Sequence, residues 1–300
     1  MTEAPHTATA GTTTIEADGA PAHVAWRAAR EREVREPHGP LSPVALYWPT
    51  SQPRRLSGLP GEWWVADGTL FTQPAQGDTT VLAGDRVEPE GPTAVAVREG
   101  RGRVVGTFVP EGRAAAGAPD EHEVAVEVVL RTGRYGVRPR DPQAVTRTGT
   151  DSVPAFDYDP AWVLDVPVRW YDEPEQVTVG SARPGLVHHV EVLGEIDVVI
   201  GGRVASLALT GTLTSPVVVF SDEADDVAPW RVLRVTAPGE PDGTVGETTD
   251  ASVAASGTLR LDLNRAVNLP YAFTDFGTSA APLAGNHLPF AVTAGEKAPR

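Results

Sequence analysis

Along this chain hydrophobic and polar residues alternate in short runs, and the runs turn over at Gly, Pro and Asp. After Gly39 the segments carry Val, Thr and Leu over four to eight residues, which is the pattern of half-buried β-strands. Residues 42–48 form one such run. Residues 62–66 and 69–72 flank Asp67-Gly68, a two-residue hairpin signal. Residues 94–98 and 103–109 flank a further glycine-containing turn. Residues 123–131 set Val124, Val126, Val128 and Leu130 against Glu123 and Glu127, and Thr132-Gly133 turns that strand back into residues 134–138. The pattern continues through 163–170, 187–193 and 197–200, and Gly201-Gly202 turns the last of these into 204–209. Runs at 217–220, 232–235 and 258–263 complete it. About fifteen short strands with tight turns predict sandwiches or barrels.

One segment has a different period. Residues 21–36 are rich in helix formers, place Glu31 four before Arg35, and end at Pro37 and Gly39. They predict a helix, with Trp26 anchoring it to a sheet. The expected fold is therefore mainly β, with two sandwich- or barrel-like units and one N-terminal α-helix. Residues 1–20, small, polar and acidic, read as a disordered tail. A boundary in the turn-rich stretch 139–156 divides a first unit (21–138) from a second (139–300). Residues 238–256 read as a loop insertion in the second unit.

Composition narrows the chemistry. The chain has 300 residues, no cysteine and a net charge of −15. Without thiols there are no disulfides, thiolate metal sites or cysteine nucleophiles. The acidic balance speaks against nucleic acid and anionic membranes as partners. Lys297, the only lysine, follows no glycine-rich loop, so a Walker A site is excluded. Gly100, Gly102 and Gly106 have the wrong spacing for a dinucleotide loop and sit between strands. Neither Gly-x-Ser-x-Gly nor His-Glu-x-x-His occurs. His189 and Glu191 share a strand face beside His188, but a metal there would need a distant ligand such as His287, and a polar strand face is the preferred reading. No cofactor or metal is expected. The start of the chain lacks a basic region followed by an apolar run, and no apolar stretch spans a membrane, so the expectation is a cytoplasmic protein.

Two segments concentrate polar chemistry. In an extended strand Arg134, Arg138 and Arg140 share one face, Tyr135 and Val137 take the other, and Arg131 sits across the turn. Guanidinium groups so arranged repel one another unless an anion lies between them, either internal carboxylates or a ligand. Asp141 follows directly. The second segment crowds Asp262, Asn264, Arg265 and Asn268 at the end of an apolar strand, where such side chains either cap backbone groups or line a polar pocket. Three readings follow. A binding module would take a small anionic or carboxylate-bearing ligand on these residues. A hydrolase would use Asp141 and Asp262 as acid and base. A protein-interaction domain would expose apolar surface, for which one of Trp63 and Trp64 is a candidate. Nothing in the sequence sets an oligomeric state.

These segments also carry a resemblance. Trp26-Arg27, Arg30-Glu31, Pro37, Gly39, Leu41-Ser42, Leu46 and Trp48 form a first motif. Arg131, Gly133 to Arg138, Arg140-Asp141-Pro142, Arg147 and Asp159 to Trp162 form a second. A third comprises Leu261 to Ala266, Asn268, Pro270, Ala272-Phe273-Thr274, Pro282, Asn286, Leu288-Pro289 and Ala294 to Lys297. In this order they resemble the bacterial domain-of-unknown-function family 1684, over about residues 22–297. Two cysteines of that family fall on Tyr271 and Ser279, which makes this chain a divergent member. The resemblance implies a fold outline and polar positions, and it brings no reaction.

Overall fold

A computed structural model of the protein describes residues 19–78, 82–84, 91–113, 117–238, 253 and 256–299. The predicted tail lies outside these residues except for Gly19 and Ala20, and the predicted insertion lies almost wholly outside them.

The helix forms as α1, Gly19–Val34, but its docking face is not apolar. His23, Arg30 and Val34 are buried and Arg27 is half-buried, a stripe at helical spacing. Arg30 Nε donates to the fully buried Glu296 Oε1 at 3.0 Å, and Arg27 Nη2 donates to the Val153 carbonyl at 2.8 Å. The helix is thus fastened through guanidinium groups. Trp26 lies beside the stripe, stacked on His23 and covered by the Arg265 guanidinium at 5.6 Å.

The first β-rich region is two antiparallel layers. One is a four-stranded sheet of β1 (Arg54–Arg55), β2 (Glu62–Ala66), β3 (Thr69–Gln73) and β4 (Thr93–Val95), paired in that order. The other joins β5 (Gly102–Phe108), β6 (Val124–Arg131) and β7 (Arg134–Arg140). Alternation decides the packing: Trp63, Leu70 and Val95 of the first sheet meet Val124, Val126, Val128, Tyr135 and Val137 of the second in one core. Trp63 is fully buried, while Trp64 is half-buried and stacks on Phe71. Asp67-Gly68 and Thr132-Gly133 make the predicted hairpins, all four residues with positive φ. The strands flanking Gly100 do not form a hairpin: β4 pairs with β3 and β5 with β6, so the chain crosses there from one layer to the other. Residues 42–48 pair with β7 only through isolated bridges at Pro43–Arg140 and Tyr47–Val137, the first carried by the Val44 N–H and the Ser42 carbonyl.

After the one-turn helices α2 (Pro119–His122) and α3 (Val145–Thr148), the remaining strands are β8 (Val163–Gly180), β9 (Val187–Ile200), β10 (Arg203–Thr212), β11 (Ser215–Phe220), β12 (Arg231–Arg234), β13 (Thr258–Asp262) and β14 (Val267–Asn268). They form a seven-stranded sheet in the order β13-β8-β9-β10-β11-β12-β14. Thr236, just past β12, exchanges backbone hydrogen bonds with Arg260 of β13, which closes β8 to β13 into a barrel. Ile196, Leu207, Leu209, Phe220, Leu233, Leu259 and Leu261 fill it. The runs 187–193 and 197–200 are one strand. Gly194 between them marks a close approach rather than a turn, because a Cβ there would lie 2.4 Å from the Arg169 carbonyl oxygen. Among the described residues no helix is long and apolar enough to cross a membrane.

Candidate functional site

The outer face of the β5-β6-β7 sheet carries the arginines. Because β6 and β7 are joined at Arg131–Arg134, Arg138 stands opposite Glu127, and both point away from the apolar core. Glu127 Oε2 accepts from Arg138 Nε at 2.8 Å and from Arg140 Nε at 2.7 Å. Arg138 Nη2 lies 2.8 Å from the same oxygen. Arg138 Nη1 reaches the Phe276 carbonyl at 2.9 Å, and Arg140 Nη1 reaches the carbonyls of His38 and Gly39. Burial alone would raise the Glu127 carboxyl; Arg138 and Arg140 outweigh it and hold the group below its ordinary value. Burial likewise pushes the Arg138 guanidinium down, and Glu127 opposes that shift.

Above this triad is a cavity of about 340 Å³. Arg103, Glu127, Arg138 and Arg140 all line it, but β5 pairs Arg103 with Val128 on the core-facing side of β6, so the charged side chains on the cavity's face are Glu127, Arg138 and Arg140, two cations to one carboxylate. His38, Gly39, Pro40 and Pro43 close one side, Gly102 and Val104 of β5 another, and Pro270 and Thr274 a third. Gly102 is required where it stands, since a Cβ would sit 2.6 Å from Glu127 Oε1. His38 Nε2 lies 2.8 Å from the Glu123 carbonyl, an acceptor, so this nitrogen carries the proton.

The residues singled out from sequence are distributed over four places. Arg138 and Arg140 line the cavity. Arg134 shares their strand face but covers the Trp48 ring at 4.8 Å, and Arg131 donates to the Leu130 and Arg101 carbonyls and to Thr278 Oγ1. Asp141 forms a two-bond pair with Arg113 at 2.8 and 2.9 Å. Burial would raise its carboxyl, but the Arg113 and Gln143 N–H donors pull it below the ordinary value.

Asp262, Asn264, Arg265 and Asn268 are not among the cavity-lining residues. Asp262 caps a 3₁₀ turn, accepting from the Asn264 N–H at 3.1 Å, and holds Arg265 Nε at 2.9 Å. Asn264 exchanges two hydrogen bonds with the Asp159 backbone. Asn268 gives its N–H to Glu296 Oε2 at 2.7 Å and its amide to the Lys297 carbonyl. These side chains brace irregular backbone. The C-terminal segment does fold back onto the arginine strand, but through Pro270, Thr274, Phe276 and Thr278, a few residues further along.

Glu127, His38 and Thr274 were missed from sequence. Glu127 was within reach, since a two-residue turn at Thr132-Gly133 forces its register opposite Arg138. The others come from distant elements. His188 and His189 each have a hydroxyl neighbour, Ser181 and Thr178, and burial and Arg131 push His188 below its ordinary value. Among the described residues no group of three His, Asp or Glu is placed to hold a metal ion.

Residues 149–297 match the model of a family described as a protein of unknown function, DUF1684. The matched range includes the third motif and residues 159–162, and leaves Trp26 to Trp48 and Arg131 to Asp141 outside. Among solved structures the chain is similar to the solution NMR structure of the uncharacterized protein from gene locus rrnAC0354 of Haloarcula marismortui. That likeness has 20% sequence identity, covers 50% of this chain and 78% of the other, and has a TM-score of 0.37. No curated protein matches.

Proposed function

We propose, for a chain that belongs through residues 149–297 to the DUF1684 family, that it is a binding module for a small anion or carboxylate, held in the cavity over the Glu127–Arg138–Arg140 triad. One observation carries the reading: two arginines and one glutamate share the face of the sheet that lines this cavity, in a protein whose net charge is −15. One carboxylate cannot neutralise two guanidinium groups, and the excess positive charge favours an anion. The volume, about 340 Å³, lies in the range of small-molecule sites.

The hydrolase reading has less support. Asp141 and Asp262 are each tied to an arginine, and the Asp141 carboxyl is held below its ordinary value, the opposite of what a general acid needs. A protein-interaction surface would rest on the exposed pair Val199 and Val204, which is small for that role.

The test is thermal unfolding of the full chain against inorganic phosphate, acetate and larger organic acids. A ligand at a hundred times its dissociation constant adds about 2.7 kcal/mol. Arg140→Gln is expected to lose the shift, with circular dichroism checking that it stays folded, while Arg103→Ala, on the other face of the sheet, is expected to keep it. No shift with any anion sinks the reading.

A further inference from the structure

The charged groups on the cavity's face are unequally engaged. Arg138 gives Nε and Nη2 to Glu127 Oε2 and Nη1 to the Phe276 carbonyl, so it belongs to the frame. Arg140 gives Nε to the same oxygen and Nη1 to two backbone carbonyls, while its Nη2 has no partner among the described residues. Glu127 is one-sided too. Every arginine bond it accepts falls on Oε2, and Oε1 accepts none among the described residues. Neither Arg140 Nη2 nor Glu127 Oε1 is a buried atom lacking a partner, so water reaches both. The cavity therefore offers one charged donor and one charged acceptor, side by side on a single ion pair.

Gly102 keeps the acceptor open. It lies on β5 two residues before Val104, which pairs with Glu127, so both positions face the cavity. A Cβ at Gly102 would lie 2.6 Å from Glu127 Oε1, and with none there the oxygen stays uncovered. Pro40, Pro43 and Pro270 of the lining have no N–H, so their backbone supplies no donor to it.

Charge balance then narrows the ligand. Two guanidinium groups face one carboxylate, an excess of one positive charge. One ligand carboxylate at Arg140 Nη2 cancels that excess. The group that donates to Glu127 Oε1 must then be neutral, because an ammonium there would restore it. A hydroxyl meets the requirement, and the adjacency of the two open atoms places it on the carbon next to the carboxylate. Resting on the anion-site reading above, we infer that the ligand class is a small 2-hydroxy acid. Its carboxylate accepts from Arg140 Nη2, and its hydroxyl donates to Glu127 Oε1 in the space beside Gly102.

Calorimetric titration of the full-length protein compares lactate with three relatives. Propionate lacks the hydroxyl, alanine carries an ammonium in its place, and 1,2-propanediol lacks the carboxylate. Lactate is expected to bind tighter than propionate by about tenfold or more, the size of one hydrogen bond to a charged group. Gly102→Ala should bring lactate down to the affinity of propionate and leave propionate unchanged. Arg140→Gln should weaken both acids. Circular dichroism checks the fold of each variant, and the wild-type comparison stands without them. If propionate or alanine binds as tightly as lactate, the hydroxy-acid inference falls and the anion site stands. If Gly102→Ala stays folded and keeps the preference for lactate, the place given to the hydroxyl falls. If propanediol binds as tightly as lactate, or no probe binds, both readings fall.

Discussion

Replacing Glu127 by Gln removes the one negative charge between two guanidinium groups without changing the side-chain shape. Arg138 is 6% exposed and cannot recover its solvation in water. Breaking a buried pair by removing one partner costs about 3–5 kcal/mol. Part of the bonding survives, because Phe276, His38 and Gly39 carbonyls still accept from the two arginines. That places the expected loss near the lower limit, about 3 kcal/mol. Unfolding entropy of about 2.1 cal/mol/K per residue gives roughly 0.6 kcal/mol/K for a chain of this length, so the midpoint should fall by about 5 °C.

The pH dependence has a definite sign. A carboxyl held below its unfolded value contributes stability that is complete above the ordinary glutamate range, near about 4.3, and is lost as pH falls through the folded value. The gap between wild type and Glu127→Gln should therefore be full at neutral pH and close in acid. Adding Arg138→Met to Glu127→Gln should recover stability, since the stranded charge is then gone. Urea unfolding at several pH values measures all three proteins. A cost under about 1 kcal/mol at neutral pH, typical of a hydrated surface pair, would refute the argument, as would a double variant less stable than the single one.

Glu296→Gln leaves Arg30 buried without its main counter-charge, and is expected to cost about 3–5 kcal/mol by urea unfolding, with early release of α1 seen in Trp26 fluorescence. Gly136→Ala puts a Cβ 2.9 Å from both Leu46 and Val129, and overpacking should lower stability by about 1–3 kcal/mol in the same assay. Asp141→Asn breaks the Arg113 pair and should cost about 1.5–3 kcal/mol. It should also leave any anion-induced rise of the unfolding midpoint unchanged, because Asp141 is not part of the lining; loss of that rise would place it in the site.

What could be read from sequence followed local rules. Asp67-Gly68, Thr132-Gly133 and Gly201-Gly202 all adopt the positive φ that two-residue hairpins require, so those turns were legible from residue type. Period-two alternation is enough to put Arg138 and Arg140 on the face away from Tyr135 and Val137. Glycine misled where its reason was crowding. Gly194 interrupts an apolar run in sequence yet lies inside β9, because the β8 backbone passes too close for a side chain. The turn at Gly100 looked like a hairpin because nothing local states that its two strands belong to different layers. The polar stripe of α1 was hidden for the same reason. His23, Arg27 and Arg30 look like a solvent face until Glu296 is placed against them, and no periodicity announces a partner at the other end of the chain.

The clasp between Arg30 and Glu296 joins residues 266 positions apart. During synthesis the helix emerges long before this counter-charge. Until then Arg27 and Arg30 have only Glu31 and Glu33 of their own helix as charged partners, and the helix alone is short enough to be marginal in water. Docking of α1 is therefore a late event, one that needs the segment around Glu296 held in place by its bridge to Ala155. A molecule lacking Glu296 would carry the helix loosely, with Arg30 short of the charge that seals it.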